Sequence, residues 1–226
     1  MGLAVGAVGS SVATDHHEEP AFLVDVDTDG DATVTVVLTY DLADENEQEA
    51  FETLREGDES HEDLRDRFES QMGELATDTA TQTDREMSIS DAELDLYTTA
   101  DDVGVAELSV RWHGLAAVND DSVTVTEPFA GGFAPDRQFV LAGPENYEPT
   151  AVMPDASGSD DGTLVWNADS DLDGFEVTFT AADDGTANGG PSDEDVSGDA
   201  APGFGVVLSL VALVVAVAGA VRRNST

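Results

Sequence analysis

The 226-residue chain contains no cysteine and no lysine. Without cysteine there is no disulfide, no thiolate nucleophile and no cysteine-ligated zinc. The eight basic residues are all arginine, against 49 acids, for a net charge of −41. So few bases exclude nucleic acid as a partner, because phosphate contacts need Lys and Arg. The linear signatures GxSxG, HExxH, the P-loop and GxGxxG are also missing. The expectation is therefore a protein that is not an enzyme and carries no cofactor.

A chain of this charge repels itself in dilute buffer. At molar salt the Debye length falls to about 3 Å and the repulsion is screened. Hydrophobic residues make up 40% of the chain and fall in periodic runs. That pattern points to a folded protein adapted to high salt rather than to a disordered one. The acids then keep the surface hydrated and do not encode a partner.

Residues 204–221, FGVVLSLVALVVAVAGAV, run 18 positions without a charge. As a helix they span about 27 Å, close to the roughly 30 Å of a bilayer core. Arg222 and Arg223 follow directly and predict a cytoplasmic end, with the preceding domain outside. Pro202, Gly203 and Phe204 open the span, after an acidic Gly/Ser-rich linker over 183–201. This order resembles the PGF-CTERM sorting signal of haloarchaeal surface proteins, over residues 202–226. The resemblance implies cleavage near Pro202-Gly203-Phe204 by an archaeosortase and replacement of the helix by a lipid anchor. At the other end, residues 1–13 look like the remnant of a signal peptide, with Ser11-Val12-Ala13 as a small-x-small cleavage pattern. An acidic tail, 14–21, follows it and carries His16 and His17.

Residues 22–182 read as one extracellular α+β domain. FLVDV and TVTVVLTYDL alternate as strands. From about 44 to 80, Phe51, Leu54, Leu64, Phe68, Met72 and Leu75 recur at three- and four-residue spacing. These predict an inserted helical segment, broken near Gly57 and capped at Ser60, with Ser60-x-x-Asp63 as a capping box. Alternating runs return after Arg85, and short strands continue to about Phe179. The expected layout is an antiparallel β-sandwich-like ectodomain with the helices against one face or edge. In PFAGGF, the paired glycines predict a tight loop with Phe129 and Phe133 tucked into the core. The stretches at 35–56 and 128–133, with GPENYEPTAVMP and GTLVW, are similar to an uncharacterised haloarchaeal domain. No chemistry comes with that resemblance.

Two copies of D-x-D-x-D-G attract attention, since this is the first half of an EF-hand calcium loop. One is Asp25, Asp27, Asp29, Gly30 and Asp31 in DVDTDGD; the other is Asp169, Asp171, Asp173 and Gly174 in DSDLDG. Position twelve should be a bidentate Glu. It is Val36 in the first copy and Thr180 in the second. Each copy also leads into a strand rather than a helix, so a β-turn rich in Asp is the first reading and calcium the alternative. His113, after Trp112 at a strand end, reads as a packing or hydrogen-bonding residue. The functional expectation is a non-enzymatic cell-surface protein on the membrane of a halophilic archaeon. Its outer domain would serve envelope structure or bind a surface-layer protein or glycan. A hydrolase using acidic residues is the lesser alternative.

Overall fold

The computed structural model describes residues 19–182. Its order is β1 (Ala21–Val26), β2 (Ala32–Asp41), α1 (Glu45–Glu56), α2 (Asp58–Thr83), β3 (Ser88–Thr98), β4 (Val103–His113), β5 (Ala117–Asn119), β6 (Ser122–Val125), β7 (Gln138–Ala142), β8 (Tyr147–Met153), β9 (Gly158–Asp160), β10 (Thr163–Trp166) and β11 (Glu176–Ala181). The domain is α+β, with the helices inserted between the second and third strands as expected. The expected signal-peptide remnant and linker, Pro202-Gly203-Phe204, the apolar run 204–221 and Arg222-Arg223 lie outside the described residues. Among the described residues no helix is long and apolar enough to cross a membrane.

The strands form a seven-stranded sheet, β3-β4-β2-β1-β7-β10-β9, and a four-stranded sheet, β5-β6-β11-β8. The larger sheet corrects the antiparallel expectation, because β1 and β7 run parallel, Phe22 beside Phe139 and Val24 beside Leu141. Alternation reports which face a residue occupies, not which way the neighbouring strand runs. The signal for a central strand was composition: Phe139, Val140, Leu141 and Ala142 are buried in succession, as strands covered on both faces are.

Asp44 caps α1, accepting from the backbone N–H of Asn46 at 2.8 Å and of Glu47 at 3.2 Å. That removes two of the orphan donors at a helix start. The expected cap at Ser60 is corrected: α2 begins at Asp58, and the first turn bond of this second helix runs from His61 N–H to the Gly57 carbonyl at 3.1 Å. Gly57, at φ −96° and ψ 77°, absorbs the whole break, so no capping segment is needed. Leu64, Phe68, Met72, Leu75 and Ala76 line the buried face of α2. Thr79 is buried among them, its hydroxyl satisfied by the Leu75 carbonyl at 2.8 Å.

One hydrophobic core takes in the α2 stripe, Val24, Val34, Leu108 and Trp112 of the large sheet, and Val123, Val177 and Phe179 of the small one. Its densest part is aromatic. Phe129 and Phe133 are buried as expected from PFAGGF. Their rings lie 5.0 Å and 5.6 Å, centroid to centroid, from Phe139, which stacks on Trp166 at 5.4 Å. Pairs at such distances contribute about 0.5–1.5 kcal/mol each beyond burial.

Candidate functional site

The first acidic motif sits on the turn between β1 and β2. Asp27 N–H donates to the Asp31 carbonyl at 2.8 Å, closing the hairpin. Gly30 takes φ +85°, and a Cβ there would come within 2.7 Å of the Ala116 carbonyl. Only glycine fits both demands. The Gly30 carbonyl accepts from Ala116 N–H at 2.9 Å, which docks the turn on the chain leaving β4.

Strand β4 brings a base to this turn. Arg111 lies opposite Thr33 of β2, and its guanidinium contacts Asp27 at 2.5 Å, Asp31 at 3.7 Å and Asp29 at 3.9 Å. The chain itself thus supplies one positive charge against these three carboxylates. Among the described residues no three His, Asp or Glu side chains gather as metal ligands.

Asp31 does more than face Arg111. Its Oδ1 accepts from Gly114 N–H at 2.9 Å, and its Oδ2 lies 2.6 Å from His113 Nδ1. The other ring nitrogen, Nε2, is 3.0 Å from Ser90 Oγ on β3. Ser90 Oγ also donates to Asp91 Oδ2 at 2.7 Å. A carboxylate, an imidazole and a hydroxyl are therefore linked in series from the β1–β2 turn across β4 to β3. Ser90 stands at a β-bulge: it pairs with Arg111 and Glu93 with Ser109, so Asp91 and Ala92 oppose the single residue Val110. Asp91 takes φ +54°, a left-handed conformation in which Asp is tolerated. The corner is open, with the His113 side chain 44% exposed and that of Asp31 21%.

The electrostatics differ along the motif. Burial pushes Asp31 up, but the Gly114 N–H, His113 and Arg111 outweigh it and hold the carboxyl below its ordinary value. Asp25, half-buried in mid-sheet between Thr33 and Ala142, is raised to about 6, first by burial and then by the charge of Asp27. Arg111 opposes that rise and Glu145 adds to it.

The second motif falls on the connection between β10 and β11, where no arginine or histidine among the described residues forms an ion pair with Asp169, Asp171 or Asp173. Asp169 takes φ +62° and donates its N–H to the Pro135 carbonyl at 2.8 Å. Asp171 Oδ1 accepts from Asp173 N–H at 3.0 Å, a local Asx turn. Leu172 and Phe175 are both 1% exposed and fix this loop to the core. A shallow cleft of about 390 Å³ lies between α2 and β3, lined by Asp66, Glu69, Ser70, Gly73 and Ile89. Its two carboxylates, Asp66 and Glu69, are exposed on α2, so the cleft lacks the buried carboxylate that acid–base hydrolysis would use.

His113, expected to pack or to hydrogen-bond, lies in a hydrogen-bonded chain, and Asp27–Asp31 form the expected turn. The parts played by Arg111, Ser90 and Asp91 are not expected from the sequence. One signal lies in the sequence: apolar positions leading into and along β3 shift from odd (Met87, Ile89) to even (Leu94, Leu96), the mark of an inserted residue.

The architecture is that of an α+β domain whose mixed central sheet is backed by two helices and a smaller antiparallel sheet. The chain belongs to the family described as Domain of unknown function (DUF7345), whose profile matches residues 23–147, more than half of its length. The match ends at the first residue of β8, so it includes the whole corner around Asp31, Ser90 and His113. Among curated proteins, none matches the chain.

Proposed function

We propose that this domain is the outer part of a cell-surface protein held on the membrane of a halophilic archaeon, serving envelope structure or binding a surface-layer protein or glycan. One observation carries the reading: Pro202-Gly203-Phe204, an 18-residue uncharged run and Arg222-Arg223 follow one another after an acidic linker. Each part has a physical role in that order. The linker spaces the domain from the surface, the run crosses the bilayer, and the arginine pair fixes the cytoplasmic side. The net charge of −41 supports a molar-salt exterior, where an acidic surface is screened. Calcium at the first acidic turn is the alternative reading, although Arg111 already offsets one of the charges of Asp27, Asp29 and Asp31 there.

Mass spectrometry of the mature C-terminus isolated from membranes tests the reading. A lipid-bearing end near Pro202 is the expected result. A mature, unlipidated peptide reaching Thr226 in protein that is not membrane-associated would sink it.

A further inference from the structure

We propose that Ser90, His113 and Asp31 form an ester-hydrolysing site, with Ser90 as nucleophile, His113 as general base and Asp31 as the residue that positions the imidazole. This goes beyond the surface-anchoring reading, and either can fail without the other. The absence of a GxSxG motif does not weigh against it. Such constellations are defined by geometry and arise on unrelated folds in different chain orders. Here the order is Asp31, Ser90, His113, from a turn and two strands.

The distances meet the need. His113 Nδ1 is 2.6 Å from Asp31 Oδ2, which holds the proton on Nδ1 and leaves the Nε2 lone pair directed at Ser90 Oγ, 3.0 Å away. Asp31 is itself held by the Gly114 N–H and by Arg111, so the imidazole is oriented by a fixed carboxylate. The bulge at Asp91-Ala92 sets Ser90 next to backbone that departs from the regular ladder.

The reaction balances without a co-reactant. Ser90 Oγ attacks the carbonyl carbon of an ester and its proton passes to His113 Nε2. The bond from that carbon to the alcohol oxygen breaks, and the alcohol leaves with the proton. Water attacks the acyl-Ser90 ester and gives a proton to Nε2, which returns it to Ser90 as the carboxylic acid departs. One ester and one water yield one acid and one alcohol.

The surroundings limit the substrate. Asp27 and Asp29 beside Arg111, and Asp91 on Ser90 Oγ, give the corner negative charge and disfavour an anionic ester. The site is open rather than enclosed, which fits a small acyl group carried on an exposed, uncharged or cationic chain. Asp91 acts as a brake: it accepts the same hydroxyl hydrogen at 2.7 Å that His113 must take.

A fluorophosphonate probe tests this on the full chain in molar KCl, because it reports the nucleophile as a covalent adduct on a mappable peptide. The adduct should fall on Ser90 and vanish in Ser90→Ala. His113→Asn keeps an N–H donor for Asp31 but removes the base, and should slow labelling by at least about 100-fold, the scale of general-base catalysis. Asp91→Gly removes the competing acceptor at a position where glycine accepts positive φ, and should speed labelling several-fold. Turnover of p-nitrophenyl acetate should follow the same ranking. Circular dichroism on each variant separates loss of the relay from loss of the fold. Absence of an adduct on Ser90 of the folded parent overturns the proposal. So does labelling that folded His113→Asn leaves unchanged.

Discussion

The two D-x-D-x-D-G stretches share a pattern and are held by opposite physics. Around Asp27, Asp29 and Asp31 the restraint is ionic: Arg111 and His113 reach in from β4 and Asp31 is drawn into their network. Around Asp169, Asp171 and Asp173 it is apolar: Leu172 and Phe175 drop into the aromatic core while the acids stay outside. A spacing of acids is thus no guide to what a loop does until the residues facing it are known. In a protein with eight bases, the placement of one arginine beside three aspartates is the informative fact.

Breaking the apolar restraint should cost most. Phe175→Ala removes a ring 5.1 Å from Trp166 and 5.6 Å from Phe129. A loss of about 3–5 kcal/mol is expected, read as a lower denaturation midpoint in molar KCl with unchanged slope. Next comes the first turn itself. Gly30→Ala forces a side chain to φ +85° and against the Ala116 carbonyl, and should lower stability by about 2 kcal/mol on the same measurement.

The ionic restraint should prove weaker, because it is partly open to solvent. Arg111→Gln should cost about 1 kcal/mol, and the loss should grow as KCl is lowered from molar concentration, since the carboxylates then repel at longer range. The matching change in the second copy, Asp171→Ala, should cost under about 0.5 kcal/mol with no salt dependence. A salt-independent Arg111→Gln loss would erase the distinction between the two loops.

The smallest effects separate two carboxylates within the first motif by the sign of their pH dependence. Asp25 is raised to about 6, so the folded state resists its ionisation and loses stability as pH climbs from about 4 through 6. Asp25→Asn should therefore be the more stable protein at pH 7, by about 1 kcal/mol after solvent screening, and the gain should disappear near pH 4. Asp31 is depressed. Its contribution is present above the ordinary carboxylate range and is lost as pH falls through its folded value. Melting curves of parent and Asp25→Asn across pH 4–7 check the first sign. An unchanged difference across that range would remove Asp25 as its source.

Much of the fold was legible because period and turn chemistry agreed. Phe51 to Leu75 gave the helices and Gly30 gave the hairpin. Gly57 gave the break, although the expected cap at Ser60 was unnecessary once Gly57 took up the turn. The parallel pairing of β1 with β7 was not legible, because pairing direction leaves no trace in alternation. The corner at Ser90 was less legible still. A serine and a histidine on two strands and an aspartate on a turn have no shared spacing, and only the register of β2 on β4 on β3 brings them together.

The parallel pair has a consequence for assembly. Strand β1 occupies the middle of the large sheet, yet one of its two partners is β7, at Gln138–Ala142. A chain emerging from its amino terminus can form β1, β2 and the helices early, but one edge of β1 waits for the strand that ends at Ala142. That closure joins distant positions and carries a large loop entropy. Until it occurs, Phe22, Val24 and Val26 sit beside an open edge able to pair with another nascent chain. Fragments ending before Gln138 should for this reason aggregate instead of folding, which makes β7 the commitment point in the birth of the domain.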